Sequence, residues 1–584
     1  MKVLSILLAL SLGLLTLEQS LVPIVGGETD FWWHLQAGQR LWSGHFDLLD
    51  PYSFVYTDKR WIHIDWAFQA LIYPVYAAGG PGGVLVLRAL IQLAAAALLW
   101  RLLDRCKVAA GARWLICLAT VSVWGSGIAL RPATVSIAFT VGVQLLLEEV
   151  RRGNRRWLSL LPPLICLWFN LHVAALAGCL LVGVYAVGVW LEGDRQHWKA
   201  WALCLLGCAI APFLNPQGWR TVYLPLEFLW TDSPWNQIIL EVQAPEWHWP
   251  GTATARLLTF LAALEAVWGL RQRRWATLLV VVVFGYLSWS NYRHQFQFCS
   301  ILACFAGCAL ARLRWPHLLT RWMAGALSVL ALAVALRALL YLGLAAWPPG
   351  GLLRRESFAE SVVQALAEAS PGLRVFTDMN SAGYYIWRTS GRQPIFLDSR
   401  SSQVFDDPQL VGAYFEILLD RPRAQQLLDR FNIEVVAENR LASGNSSLYS
   451  RLSQHPDWVR LYSDSTGSLL CRRSLQSRLP IPRMPRYLQL YESARRYQLL
   501  GDGQRANERY LECLQHYPQF ANARLELARL ALARGQNSWA RQQLALAELY
   551  NPAVHSPDLW RQLGIRPATG SVLAWLLPFL ALPW

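Results

Sequence analysis

Residues 26–66 read GGETDFWWHLQAGQRLWSGHFDLLDPYSFVYTDKRWIHIDW. They follow an apolar run, residues 3–25, and begin with two carboxylates, Glu28 and Asp30. From Phe31 to Trp42 the aromatics and leucines recur on one side of a helical pattern, and Asp30 suits its N-cap. An amphipathic helix directly after an apolar run lies in the plane of a membrane interface. Trp66–Ala78 reads as a second such helix, ended by the GGPGG run at 79–83.

The remaining composition agrees with a membrane setting. Among the 584 residues 54% are hydrophobic and only 16% are charged. No water-soluble fold of that size hides so much apolar surface. Apolar runs near 3–25, 83–103, 114–130, 133–150, 157–174, 175–191, 199–214, 254–270, 275–290, 296–312 and 322–345 predict eleven spans, several short enough to require tilt or incomplete crossing. The fold class is therefore a polytopic α-helical membrane protein. The first run lacks an A-x-A-like cleavage site and reads as an uncleaved span.

The net charge of +15 sits in short basic clusters between apolar runs, so it reports topology rather than a nucleic-acid partner. With the N-terminus inside and the spans alternating, the inside segments hold seventeen Lys and Arg and the outside loops six. That bias places the long loops 27–65 and 215–252, and everything after residue 353, outside the plasma (inner) membrane. Residues 157–191 have no polar divider and read as a tight hairpin whose tip carries Asn170 and His172.

Residues 1–350 thus form a membrane domain. Beyond Pro348-Pro349 the composition becomes that of a water-exposed, extracytoplasmic (periplasmic) region. RVFTDM (374–379), PIFLDSR (394–400) and IEVVAEN (433–439) read as short strands among helices, predicting a small α/β domain over 353–480. Gly501 and Gly535 are 34 residues apart, as are Ala494 and Ala528, Ala506 and Ala540, and Pro518 and Pro552. This period is the signature of tetratricopeptide-type helical repeats, here two, over 484–563. They form helices near 487–500, 504–517, 521–534 and 538–550. Two repeats cannot bury a solenoid core alone, so they pack on something. The apolar tail 571–584 is short for a span.

Chemistry has few places to reside. There is no P-loop, HExxH or C-x-x-C pair, and the eleven cysteines show no disulfide framework or zinc spacing. Eight lie inside apolar runs, and Cys106 lies in a basic loop. A carboxylate at the outer membrane edge is partly desolvated; its raised pKa suits it to take a proton from an acceptor hydroxyl. Asp30 therefore fits two roles, helix cap and general base, and Glu28 is the lesser candidate. His34, one turn on, either orients the carboxylate, shares a divalent metal with it, or is a partly exposed interfacial histidine. Outside cations are few. Arg131 in a tight turn, His172, and Arg293 and His294 in NYRHQ are candidates for an anionic lipid phosphate, with ordinary headgroups as the alternative ligand. Arg88 and Arg337 lie inside apolar runs, where charge is costly. Glu227, Glu241 and Glu246 read as solvated loop residues, and Asp378 and Asp398 as turn formers.

An acidic motif in the first outside loop, after the first span and before a juxtamembrane helix, resembles the GT-C superfamily of integral membrane glycosyltransferases. Glu28-Thr29-Asp30 followed by Phe31–Trp42 carries the resemblance, which covers residues 1 to about 345. It implies a sugar donor carried on a polyprenyl phosphate and an acceptor on the outer face, with no cofactor required beyond a possible divalent metal. Membrane lipid and the lipid-linked donor are the implied partners, and the repeats suit a protein partner. Asp30–Leu35, Arg131-Pro132, Asn170-Leu171-His172 and Asn215–Trp219 also resemble D-x-W-W-H-L, R-P, N-L-H and N-P-x-G-W elements of a bacterial family. Two other readings stand beside the enzyme. One is a membrane scaffold recruiting envelope proteins through its repeats. The other is a transporter, disfavoured by the lack of duplicated halves.

Overall fold

The chain begins with helix α1 (Lys2–Ser20), whose hydroxyls stay satisfied in an apolar setting. Ser11, Thr16 and Ser20 each donate to a carbonyl three or four residues back. These contacts come from a computed structural model that describes residues 2–24, 28–56, 58–127, 129–230, 235, 238–312, 317–343, 352–440, 447–551, 554 and 556–564. The apolar tail 571–584 and the Pro348-Pro349 boundary lie outside the described residues.

After α1 the chain turns into α2 (Thr29–Trp42). The turn is fastened by Arg88, which donates to the carbonyls of Ser20 and Val22 and to the Glu28 carboxylate. A guanidinium thus satisfies orphan carbonyls at a helix end, which accounts for a charge inside an apolar run. Arg337, the other such charge, pairs with Glu18 of α1.

The segment α3 (Trp66–Arg105) carries the expected break at GGPGG. Two helices meet there across a kink at Gly80, at φ 56° and ψ −151°. Only glycine adopts that conformation cheaply, and Pro81 then restarts the helix where its missing N–H costs nothing.

The membrane part continues with α4 (Ala110–Ser126), α5 (Ala133–Arg151), α6 (Leu161–Leu171), α7 (Ala175–Leu191), α8 (Trp198–Ile210) and α9 (Arg220–Trp230). It closes with α10 (Thr252–Arg271), α11 (Trp275–Ser290), α12 (Tyr292–Arg312) and α13 (His317–Tyr341). Among the described residues six helices are long and apolar enough to cross a membrane, with mean hydropathy from 1.3 to 2.0. The segments 110–125, 175–191, 198–214 and 275–290 are apolar but shorter. At ~1.5 Å per residue a 16-residue helix rises ~24 Å, less than a ~30 Å hydrocarbon core. The chain is a multi-pass membrane protein.

The region after residue 352 carries a four-stranded sheet in the order β1 (Val375–Phe376), β2 (Val435–Asn439), β4 (Gly467–Arg472), β3 (Trp458–Ser463). The β1–β2 pair is parallel and the other two are antiparallel. Two of the three expected strands form. PIFLDSR contributes only Ile395, bridged to Val375 on one side and to Ser53 of the first loop on the other. The β3–β4 hairpin escaped the sequence reading. Its signal is the Asp464–Gly467 turn, where one Asp464 oxygen accepts from the amides of Thr466 and Gly467.

Helices α14 (Glu360–Glu368), α15 (Met379–Arg388), α16 (Pro408–Leu418), α17 (Ala424–Arg430) and α18 (Ser447–Leu452) surround the sheet. One of them, α15, lies directly on α2: a Cβ at Gly383 would come 2.5 Å from the Thr29 carbonyl oxygen. Gly383→Val should therefore separate the two elements, at ~1–3 kcal/mol for the forced overpacking. Thermal unfolding of the purified protein measures it, and an unchanged midpoint would contradict that packing.

The last helices are α19 (Arg486–Leu499), α20 (Gly503–His516), α21 (Ala521–Ala533), α22 (Asn537–Tyr550) and α23 (Pro557–Gln562). Gly501 and Gly535 occupy equivalent left-handed turns at φ 79° and 71°. Ala494, Ala506, Ala528 and Ala540 are buried where helices meet. The block is fastened by Tyr517, whose hydroxyl donates to Glu356 at 2.6 Å, and by the Arg354–Gln519 contact.

Candidate functional site

Helix α2 begins at Thr29, so Asp30 is a first-turn residue and not the N-cap. The capping position falls to Glu28, whose side chain makes no cap bond. Both Glu28 oxygens are used elsewhere: one accepts from Arg88 at 3.3 Å and the other from the Leu130 amide at 2.7 Å. Glu28 thus joins α1, α3 and the turn after α4. With its cap role gone, Asp30 points into the space between α2, the Arg131 turn and the water-exposed domain. Its carboxylate accepts from the Trp33 indole at 3.4 Å and lies 3.9 Å from Arg131. The hydroxyl of Ser399 also donates to it.

Arg131 is held by Glu241 at 2.6 Å. The reading of Glu241 as a solvated loop residue is corrected here: the second long loop folds back so that Glu241 closes an Asp30–Arg131–Glu241 chain. The side chains of Asp30, Arg131 and Glu241 are 23%, 24% and 35% exposed, so the chain is open to ligands on one side. Glu246 is exposed beside His248, and the Glu227 side chain lies outside what the structure describes.

Burial pushes the Asp30 carboxyl above the usual aspartate range, against the attraction of Arg131. Burial also raises Glu241, but Arg131 outweighs it and holds Glu241 below its ordinary value. Asp65, which precedes α3, is pushed up to about 8 by burial and by the nearby Asp30 charge. Unfolded, Asp65 loses its proton near 3.8. Between there and about pH 8 the folded state binds more protons than the unfolded, so this group lowers stability as pH rises. Asp65→Asn should remove that slope, up to about 1.4 kcal/mol per pH unit. Unfolding midpoints followed from pH 5 to pH 8 would show it, and an unchanged slope would exclude the protonated Asp65.

His34 is buried, not partly exposed. Its Nδ1 meets the Gln69 amide at 3.1 Å, and its ring lies against Trp33 and Phe68. Gln69 also meets His63, which stacks on Trp61. Burial keeps His34 far below its ordinary pKa, hence neutral. His34 shares no metal-binding group with Asp30 among the described residues.

His172 caps the end of α6 and its Nδ1 meets the Ser136 hydroxyl at 2.7 Å. Burial, then the charges of Arg131 and Arg293, push it down to about 3. His172, Arg131 and Arg293 therefore belong to one electrostatic cluster, and the Glu241 charge acts on both arginines. His294 lies against the Phe298 ring. Asn170 packs helices, accepting from Trp66 at 2.9 Å. Asn215 ties the Ile64 and Phe169 carbonyls together.

The roof over Asp30 is the Asp398-Ser399-Arg400 segment, whose Asp398 reads from sequence as a turn former ending a strand. Arg400 binds Asp398 at 2.6 Å and Asp50 of the first loop at 2.7 Å, and the side chains of all three are fully buried. The rings of Tyr52, Trp61 and Phe405 surround the guanidinium. This ion triad sets Ser399 between Asp30 and the Trp33 indole, which donates to it at 3.2 Å.

No protein-family model matches the sequence, and no curated protein matches it by sequence. An archaeal oligosaccharyltransferase, AglB from Archaeoglobus fulgidus, solved with an inhibitory peptide and a dolichol-phosphate, superposes with a TM-score of 0.52. The likeness covers 80% of this chain and 74% of that one at 10% identity. The two proteins share a fold. Two other solved structures are also similar. Arabinofuranosyltransferase AftD from mycobacteria gives TM-score 0.49 and 15% identity over 85% of this chain and 44% of that one. ArnT from Cupriavidus metallidurans gives 0.46 and 14% over 80% and 97%. The sequence resemblance to GT-C ended near residue 345, whereas the AglB likeness, at 80% of the chain, extends past the membrane part.

Proposed function

We propose that this protein is a GT-C glycosyltransferase that moves a sugar from a polyprenyl-phosphate carrier to an acceptor on the outer face of the membrane. One observation carries the reading. Asp30, desolvated yet a quarter exposed, sits beside the Arg131–Glu241 pair at the start of a juxtamembrane helix. Asp30 is the general base. Its raised pKa matches it to an acceptor hydroxyl better than an ordinary aspartate would. Arg131 and Arg293 bind the donor phosphate, since guanidinium forks match phosphate oxygens, and neutral His172 adds a hydrogen bond. Glu241 holds Arg131 until the phosphate competes for it. Glu28, held by Arg88, positions Asp30, and the buried His34 supports α2. His294 packs behind the site.

The topology of the proposal has eleven crossings, the shorter helices tilting or thinning the bilayer locally. The α/β domain at 353–480 is then extracytoplasmic and roofs the site. The tetratricopeptide-type repeats at 484–563 present a surface for the acceptor or a protein partner. Single cysteines introduced at Ser465 and Gln272 test this in intact cells. Labelling is expected at 465 alone, and equal labelling or labelling only at 272 would refute the topology.

Donor recognition is tested with purified protein and a polyprenyl phosphate. Arg131→Ala should weaken binding by about tenfold or more, since it deletes a charge-assisted contact of roughly 1.5–3 kcal/mol. Asp30→Asn should leave binding in place. A native protein that fails to bind the lipid phosphate would sink the donor assignment.

A further inference from the structure

Three cysteines from two distant parts of the sequence meet at the end of the membrane part remote from Asp30. Cys106 follows the last residue of α3, while Cys304 and Cys308 stand one turn apart on α12. Spacing of four puts the latter two on one helix face. The Cys106 and Cys304 sulfurs are 3.6 Å apart, and all three lie within 4.8 Å of one another. A tetrahedral ion with sulfur ligands at ~2.3 Å holds them ~3.8 Å apart, so little movement is needed. The guanidinium of Arg152 lies 3.5 Å from the Cys106 sulfur, where its charge favours the thiolate. Cys304 is buried while Cys106 and Cys308 are half-buried, which gives the cluster an entry side and a closed side.

We propose that Cys106, Cys304 and Cys308 form a binding site for a thiophilic d¹⁰ metal ion such as Zn(II). Soft thiolates select such ions over magnesium or calcium. Binding replaces three S–H bonds with three metal–sulfur bonds and releases three protons. The fourth position is open on the Cys106 side. The ion joins the loop after α3 to α12, whose opposite ends carry Asp65 and Arg293. It is a separate site from the Asp30 cluster and does not depend on the glycosyltransferase reading. If the inside-outside assignment holds, the thiols face the reducing cytoplasm, which favours metal over disulfide.

The test uses full-length protein in detergent, reduced, stripped with chelator and repurified. Zinc titration followed by elemental analysis should find close to one ion per chain. Cobalt(II) should develop thiolate charge-transfer and tetrahedral d–d absorption that zinc then bleaches. Cys106→Ser and Cys308→Ser should each lower retained zinc about tenfold, while Cys166→Ser in α6 should not. On the unsubstituted protein, zinc should slow alkylation of Cys106 about tenfold, a readout that needs no variant to fold. Absence of zinc binding, unaltered alkylation, zinc retained in the serine variants, or a Cys106–Cys304 disulfide in protein isolated without oxidant would each overturn the site.

Discussion

Asp30→Asn should lower sugar transfer by ~10²–10⁴-fold, the usual contribution of a positioned base, with expression and membrane insertion unchanged. Asparagine keeps the size of the side chain and can still accept from Thr29, Trp33 and Ser399, the local donors to Asp30. It cannot take a proton. The readout is accumulation of unglycosylated acceptor, or of unused lipid-linked sugar, in cells carrying the variant. The same site sets a pH dependence. Because burial raises the Asp30 pKa, transfer by the native protein should fall as pH drops through a value above the ordinary 3.8 of aspartate. A fully active Asp30→Asn protein would remove the base and leave a scaffold organised around the repeats as the better account.

Arg400→Met should have the largest effect on stability, a loss of about 3–5 kcal/mol, because it leaves Asp50 and Asp398 buried without a counter-charge. The loss should shrink at low pH. Burial already raises Asp50, and without Arg400 it protonates more readily still, so acid removes the uncompensated charge. Thermal unfolding of detergent-purified protein at pH 7 and pH 5 measures both expectations. Combining Arg400→Met with Asp50→Asn and Asp398→Asn should recover much of the loss, since a neutral buried set no longer carries unpaired charge. The single variant should also lose transfer through displacement of Ser399. An unchanged midpoint for Arg400→Met would mean that the triad does not hold the outer domain to the first loop.

Much of this protein was legible in one dimension. Apolar runs and basic clusters reported a multi-pass membrane chain because lipid selects on composition over ~20 residues, a local property. The position of Glu28 and Asp30 after the first helix was visible for the same reason, as was the 34-residue recurrence, whose glycines take left-handed turns. Arg131, His172 and Arg293 stood out in the sequence because cations are scarce in the loops expected outside.

Tertiary structure decided what those residues touch. Whether Glu241 is solvated or bound to Arg131 depends on the return path of a loop more than a hundred residues away, and no periodicity encodes that path. Ser399 reaches Asp30 only because Arg400 is locked between two carboxylates from different parts of the chain. The three thiols of Cys106, Cys304 and Cys308 carry no ligand spacing in sequence, since a helix end and a distant helix face supply them. Charge pairing and ligand sets are contacts between elements, so they appear only once packing has chosen which elements are neighbours.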